Sequence, residues 1–244
     1  MSGTFVAEAH ADMATGSITI AVPTGTQDGD IMVAFITASD TGAAHGTGWN
    51  DVIITQPRAG EDFAVFYRVA SSEPANYTWS WGAGAGVGTI VTWRGVDFVA
   101  PIEVAGAAGT AETSGTTLTA PTRTTLYAGA LLVTAYSIRK SATFSTPTGM
   151  TERLDYQLAG DVMSLAVDEE VIAAAGATGT RASTTSQTIN FGRAVSFALK
   201  NNTTIQPTAA LAMTIVPQTA TINKGPQPIV LSGSYVPAIA KTAG

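Results

Sequence analysis

Neighbouring acidic residues are the part of this sequence most suggestive of catalysis. Asp168, Glu169 and Glu170 are consecutive, and Asp155 and Asp161 precede them. Two carboxyls facing one another could hydrolyse a glycosidic bond, one as acid and the other as base or nucleophile. On a β-strand, Asp168 and Glu170 would share a face while Glu169 pointed the opposite way. Adjacent acids at a strand end more often form a solvated rim that discourages edge pairing, so we predict no catalytic residue and no enzyme.

The two histidines, His10 and His45, are the candidate metal ligands and general bases. Because the chain has no cysteine, a metal site would need carboxylates around one histidine, and none is found at ligand spacing. No serine lies in a Gly-x-Ser-x-Gly elbow that His45 could serve. Residues 28–30 lack the further oxygens of a calcium loop, and residues 82–88 lack the Lys-Ser/Thr ending of a phosphate-binding loop. The sequence predicts no metal and no cofactor.

Tryptophans could form a binding surface of a different kind. Trp79 and Trp81 alternate along residues 76–81, so both would fall on one face of a strand. If exposed, such a pair would stack on sugar rings, and Trp49 beside its loop could extend the surface. If buried, the same rings would fill a core, which is the more typical use of aromatic residues in a β-sandwich. Exposure is therefore the observation that separates the two interpretations.

Short apolar segments that end at turn-forming residues predict an all-β protein. Most are rich in β-branched or aromatic residues and are closed by Gly, Pro, Asn or Asp. Phe63, Val65 and Tyr67 alternate with Ala64 and Phe66, as expected of a strand, and helix signals are nearly absent. The predicted strands are residues 17–22, 30–38, 50–56, 62–70, 76–81, 87–94, 116–120, 129–138, 150–157, 161–171, 180–188 and 191–199.

Matching segments recur about a hundred residues apart. The matched pairs are residues 29–36 with 129–136, 48–49 with 149–150, 62–70 with 161–169, and 88–93 with 192–197. We therefore predict one antiparallel, jelly-roll-like β-sandwich over residues 16–200, with pseudo-repeated halves at about 16–97 and 115–200. The alternative is two small sandwiches divided near residues 98–115, which would leave more strand edges open.

The segments outside this sandwich are predicted to be arms. Residues 1–15 would form an N-terminal arm. Residues 201–244 contain five prolines separated by short apolar runs such as residues 210–216. Proline at this density disfavours helix and central strand, while the segment is too apolar for a plain disordered tail. We predict either an extended arm that docks on a neighbouring subunit or a small β extension packed on its own domain.

Composition excludes some partners. The net charge is −6 and no basic stripe is present, which argues against nucleic-acid binding. The N-terminal residues contain no basic segment followed by an apolar run, so no signal peptide is predicted. No apolar run in the sequence is long enough to span a membrane. Charged residues make up only 12% of the chain. Such a surface is either covered by neighbouring subunits or made soluble by hydroxyl groups, and both interpretations stay open.

Seven short phrases stand out together. They are Gly-Asp-Ile-Met-Val-Ala-Phe-Ile (29–36), Gly-Trp (48–49), Val-Phe-Tyr-Arg-Val-Ala (65–70), Tyr-Thr-Trp-Ser-Trp (77–81), Trp-Arg-Gly-Val-Asp (93–97), Gly-Met-Thr-Glu-Arg (149–153) and Ala-Ala-Ala-Gly-Ala-Thr-Gly-Thr-Arg (173–181). They resemble a jelly-roll-like β-sandwich module of structural proteins from tailed bacteriophages and prophages. The resemblance spans about residues 16–200 and names no active site.

The resemblance implies a non-enzymatic virion protein. Together with the low charge, it leads us to expect a capsid decoration or head accessory protein that stabilises the shell through subunit contacts. Its partners would be the major capsid protein, other virion subunits and copies of itself, for which a trimer would suit three-fold capsid positions. Members of the family occupy heads and tails alike. The alternative is therefore a tail-associated module that binds glycans or receptors.

Overall fold

Strands account for every regular element in the part of the chain that the structure describes. The structure, a computed structural model, describes residues 2–13, 16–40, 48–58, 61–158, 160 and 162–202. These residues belong to one compact unit, Met1–Thr204. The predicted arm beyond Asn202 lies outside the described residues.

Among the described residues, seven strands lie in the first half of the chain and nine in the second. The first half contains β1 (Thr4–Met13), β2 (Ser17–Ala21), β3 (Ile31–Ala38), β4 (Asn50–Arg58), β5 (Glu61–Val69), β6 (Asn76–Ser80) and β7 (Gly86–Arg94). The second half contains β8 (Ile102–Ala108), β9 (Thr117–Ala120), β10 (Thr124–Thr125), β11 (Ala130–Ile138), β12 (Thr151–Leu158), β13 (Met163–Ile172), β14 (Gly176–Ala177), β15 (Arg181–Thr184) and β16 (Gly192–Leu199).

Two five-stranded sheets form the centre of the fold. The first sheet has the order β1-β7-β3-β5-β4, and the second has the order β12-β13-β11-β16-β8. Each takes its strands from one half of the chain, with β3 or β11 in the middle. The pairs β2-β6, β9-β15 and β10-β14 form three two-stranded sheets. Neighbouring strands are antiparallel in every one of these pairings. The predicted all-β, antiparallel fold is confirmed.

An apolar core lies between the two large sheets. Val33 and Phe35 of β3 share it with Val133 and Ala135 of β11, because alternate side chains of a strand point to the same face. Burying a side chain as large as that of Phe35 contributes about 1.5–3 kcal/mol relative to leaving it exposed. This shared core makes the two sheets the layers of one sandwich.

A further apolar layer covers the outer face of the first sheet. There the β2-β6 pair places Ile18 and Trp79 against Met32, Ala34 and Phe66. As a result β3 is buried along its whole length and on both faces. The sequence of a strand that is covered on both faces is a continuous apolar run, as in residues 31–36.

The second sheet is covered in the same manner. The β9-β15 pair places Leu118 and Ala120 over Tyr136, Ala166 and Ala194, and β11 is buried throughout. The fold therefore combines features of both predicted arrangements. The two large sheets pack as one sandwich, and each half also carries an outer layer of its own.

Two segments that were not predicted as strands are edge strands of the large sheets. Residues 4–13, predicted as part of an N-terminal arm, form β1 and pair with β7 from Thr4↔Arg94 to Met13↔Gly86. Residues 102–108, predicted as part of the connection between the halves, form β8 and pair with β16. Both strands are rich in alanine and carry few β-branched residues, so their apolar pattern is weak. Pairing with a sheet edge satisfies their backbone groups.

Candidate functional site

The three consecutive acids of β13 lie in three different environments. Glu169 points toward the first sheet, where its carboxylate accepts hydrogen bonds from Trp93 Nε1 and from Arg153 Nη2, the latter at 2.5 Å. The side chain of Glu170 accepts two hydrogen bonds from the guanidinium of Arg181, at 2.6 and 2.8 Å. Asp168 is only 2% exposed. The predicted alternation is confirmed for Glu169, which lies on the face opposite Asp168, but the predicted solvated rim is wrong because Asp168 and Glu169 are both buried.

Asp168 is the least well satisfied of these acids. It pairs across the sheet with Thr134 of β11 and Glu152 of β12, and its Oδ1 has no hydrogen-bond partner. The hydroxyl of Thr134 donates instead to the sulfur of Met150, at 3.4 Å. Burial raises the pKa of Asp168 to about 8, with smaller contributions from the negative charges of Glu152 and Asp155. The carboxyl is therefore largely protonated at neutral pH.

These environments do not suit a glycoside-hydrolysing pair. Both carboxyls of such a pair must reach a sugar. The carboxyl of Asp168 is buried, and that of Glu170 is held by Arg181. An open cavity of about 490 Å³ lies elsewhere, beside Thr4, Phe5 and other residues near the start of β1. The acids of β13 serve the structure of the sheet rather than an exposed cleft.

A polar cluster around His10 went unrecognised in the sequence. Glu8, His10 and Asp12 lie on one face of β1, and Glu8 approaches His10 Nδ1 to 3.1 Å. The His10 ring packs on Tyr156 of β12 with ring centroids 4.3 Å apart, and the Tyr156 hydroxyl donates to Asp12 at 2.5 Å. That hydrogen bond, followed by burial, raises the pKa of Tyr156 to about 12. The cluster joins the edges of the two large sheets.

The sequence analysis found no carboxylate at ligand spacing from a histidine, whereas the structure places the Glu8 carboxylate 3.1 Å from His10 Nδ1. An alternation of Glu8, His10 and Asp12 with a period of two is the signal that could have revealed the cluster, once the segment is read as a strand. Even so, the described residues include no group of three His, Cys, Asp or Glu side chains that could hold a metal ion. His45 lies outside the described residues.

All four tryptophans are buried. Trp79 and Trp93 are inaccessible, and Trp49 and Trp81 are 5% and 7% exposed. The rings of Trp49 and Trp79 meet edge to face with centroids 5.2 Å apart, and Trp49 meets Tyr77 at the same distance. These geometries are typical of aromatic packing in a core. A stacking surface for sugars made of Trp49, Trp79 and Trp81 would need exposed rings, so its main support is removed.

The acids at residues 28–30 hold a turn. Asp30 receives two hydrogen bonds from the guanidinium of Arg94, at 2.7 and 2.9 Å. The carboxylate of Asp28 accepts the backbone N–H of Ser72 at 2.7 Å. Gly29 between them has a positive φ of 88°, which glycine adopts without strain. The predicted role as the turn that opens β3 agrees with these contacts.

Two neighbouring loops expose large apolar side chains at one end of the sandwich. We call these side chains, Phe98, Val99, Leu126 and Tyr127, the apolar end patch. Their exposed fractions are 53%, 80%, 66% and 46%. Isolated exposed apolar residues are ordinary on protein surfaces, but a group of four marks a candidate contact surface.

Charged residues fix the two loops of the apolar end patch. Asp97 accepts the backbone N–H groups of Val99 and Ala100, and pairs with Lys200 at 2.7 Å. Lys200 Nζ in turn lies 5.8 Å from the centre of the Tyr127 ring. The carboxylate of Glu103 accepts the backbone N–H groups of the second loop, from Leu126 at 2.5 Å and Tyr127 at 3.0 Å. The loops are therefore held in place before any partner binds. No sequence signal identified them, because their exposure depends on the packing of both halves.

Comparisons with protein-family models, with curated proteins and with solved structures found no match for the chain. In the part of the chain that the structure describes, no helix is long and apolar enough to cross a membrane.

Proposed function

We propose that the chain is a non-enzymatic structural protein of tailed-bacteriophage virions that decorates the capsid surface. The observation that carries the proposal is the apolar end patch. Its four side chains are exposed in the single chain, and the other exposed large apolar side chains among the described residues are Met13, Ile54 and Val171. A subunit of a shell would cover such a patch with its neighbour.

The patch has the properties of an interface centre. Large apolar and aromatic side chains contribute most of the binding energy when they enter a partner's surface. The loops that carry them are fixed by hydrogen bonds to Asp97 and Glu103, so little conformational entropy is lost on binding. A charge-poor surface, with 12% charged residues, favours the same kind of contact.

We also infer that the jelly-roll-like sandwich is built from two halves related by duplication. The strand orders support this inference. Strands β1 to β7 can be compared in order with strands β8 to β16 once the short β10 and β14 are left out. In both halves the large sheet is then built from the first, third, fourth, fifth and seventh strands. The second and sixth strands build the outer layer in both. In each half the chain therefore passes from the large sheet to the outer layer and back twice, at the same places in the strand order.

The partners we propose are the major capsid protein and further copies of this chain, in a closed homo-oligomer such as a trimer. Contacts of this kind stabilise a shell by mass action, because the subunit binds the assembled lattice and not its unfolded parts. The place of the protein would be the virion surface.

A binding experiment with undecorated capsids tests the proposal. Wild-type protein should sediment with the capsids in a fixed ratio, and microscopy should place it on the shell. Val99→Ser with Leu126→Ser should lower that binding by at least tenfold, because the patch loses its apolar surface. Ile54→Ser is the matched control, since Ile54 is 47% exposed on β4, away from these loops.

Either of two results would overturn the proposal. One is that wild-type protein does not bind capsids, and the other is that the double variant binds as well as the control. A form of the chain ending at Asn202 measures in the same assay what residues 203–244 add.

A further inference from the structure

Matching positions on the two large sheets carry side chains of opposite character. Phe66 of β5 pairs with Ala34 of the central strand β3, and Asp168 of β13 pairs with Thr134 of the central strand β11. Phe66 is fully buried in the apolar outer layer of its sheet. Asp168 is almost as deeply buried, with 2% exposure, yet its Oδ1 lacks a hydrogen-bond partner. A buried, unpartnered carboxyl strongly favours its neutral form.

The charged groups of β12 increase this preference. Glu152 lies directly opposite Asp168, and Asp155 is close enough for its charge to act on the same carboxyl. Arg153, between them in sequence, turns to the other face of the sheet and binds Glu169. Strand β12 thus places the negative charges of Glu152 and Asp155 near Asp168, while the positive charge of Arg153 lies on the opposite face.

The remaining titratable groups near Asp168 are already engaged. Tyr136 of β11 donates its hydroxyl hydrogen to the main-chain oxygen of Arg181, at 3.0 Å. The guanidinium of Arg181, on β15, donates to Glu170. No ion pair of Asp168 occurs among the described residues. An ionised Asp168 would therefore face Glu152 and Asp155 without a cation to offset them.

Strand β12 is also one of the four edge strands of the large sheets. It is an edge strand, with a neighbour on one side only in the second sheet. Its pairing with β13 shifts register between Glu152 and Leu154, which leaves Arg153 as an extra residue beside the Glu152–Asp168 pair. Most of its side chains are exposed or half-buried. Edge strands with an interrupted ladder open at lower free energy than central strands.

We propose that Asp168 makes the attachment of β12 to the second sheet depend on pH, so that loss of its proton favours separation of β12 from β13. The device is independent of the capsid role proposed above. Separation lets water reach Asp168 and moves Glu152 and Asp155 away, which removes both reasons for keeping the proton.

The raised pKa of Asp168 fixes the direction and the range of the effect. The closed sheet holds the proton up to about pH 8, whereas a carboxyl exposed to water loses it near its ordinary value of 3.8. Between these two values, opening releases one proton. The opening equilibrium constant therefore rises by up to about tenfold for each pH unit, and it levels off above about pH 8. Low pH closes the edge and rising pH loosens it.

Amide hydrogen exchange between pH 5 and pH 9, corrected for the intrinsic exchange rate at each pH, measures this opening. Amides of β12 should show an opening constant that rises by ten- to a hundredfold from pH 5 to pH 7. Amides of β4 are the matched control, because β4 is the corresponding edge strand of the first sheet and lies opposite Phe66. They should show no such rise.

Asp168→Asn supplies the decisive comparison, since the amide keeps the shape and cannot ionise. Its β12 amides should lose the pH dependence, while Asp28→Asn, at an exposed turn of the first half, should retain it. Should the Asn variant fail to fold, Glu152→Gln should shift the levelling-off of the curve to lower pH. The proposal is overturned if the substituted protein keeps the wild-type pH dependence, or if β4 and β12 loosen in parallel.

Discussion

The outer layers of the two halves cover their large sheets with side chains of different chemistry. In the first half, Trp79 pairs with Ile18 and packs edge to face on Trp49, with ring centroids 5.2 Å apart. In the second half, Ser183 occupies the corresponding place, and its hydroxyl donates to the main-chain oxygen of Ser145 at 2.8 Å. Both side chains are inaccessible to solvent.

The difference predicts how each half responds to change. Large rings stabilise by burying area, which is non-directional and largely independent of pH. Small polar groups stabilise only when every donor and acceptor finds a partner, and a lost partner leaves a costly buried group. The first half should therefore be sensitive to cavities, and the second half to the satisfaction and ionisation of its polar groups.

The largest effect should come from removing the aromatic filling. Trp79→Ala leaves a cavity under the β2-β6 layer and should lower the free energy of unfolding by about 3–5 kcal/mol. Ser183→Ala, at the corresponding place, should cost about 1 kcal/mol, the value of one hydrogen bond. Urea unfolding of both variants measures the contrast. Equal losses would contradict the view that the two layers are stabilised differently.

An intermediate effect is expected where the two halves meet through Glu169. Its carboxylate accepts from Trp93 of the first sheet and from Arg153 of its own sheet. Glu169→Gln weakens both contacts and should lower the free energy of unfolding by about 2–3 kcal/mol.

A double-mutant cycle with Trp93→Phe separates that contact from general damage. If the Trp93–Glu169 hydrogen bond is the cause, the two losses should overlap and the double variant should lose less than their sum. Strict additivity would contradict the assigned contact.

The smallest effect concerns two ion pairs of opposite polarity. In the first half Arg68 of β5 pairs with Glu73, and in the second half Glu170 of β13 pairs with Arg181. Glu73→Gln and Glu170→Gln should each cost about 1 kcal/mol, and the loss should shrink at high salt. Unfolding at two salt concentrations checks this. A loss in only one half would contradict the expectation that the two ion pairs contribute equally.

Strand alternation was the part of the fold that could be predicted from sequence. The predicted segments 30–38 and 129–138 differ by one residue from the observed β3 and β11. Their apolar runs are long because both faces are covered. Strand β1 was missed because its alternation places alanines against glutamate, histidine and aspartate, which looks like a polar arm until it is paired.

The candidate site was harder to predict because its chemistry depends on burial. The two-residue alternation of side chains along a strand predicted that Asp168 and Glu169 point in opposite directions. It did not predict that Asp168 would be buried. That burial comes from the packing of distant segments around β13, and no local pattern encodes it. The hydrogen bond between Thr37 and Ser137, at 2.6 Å across a hundred residues, is of the same kind. Sequence patterns predict which face of a strand a side chain lies on, whereas tertiary packing determines which residues that face contacts.

The pairing of β1 with β7 has a consequence during synthesis. Because Thr4 pairs with Arg94, roughly 90 further residues must be synthesised before the edge of the first sheet can form. At about 5–20 residues per second, the nascent β1 spends several seconds without its partner. Its charged residues, Glu8 and Asp12, keep the waiting segment hydrated and discourage pairing with other nascent chains. All strands of the first sheet lie before residue 95, so that sheet can close on the ribosome while the second half is still being made.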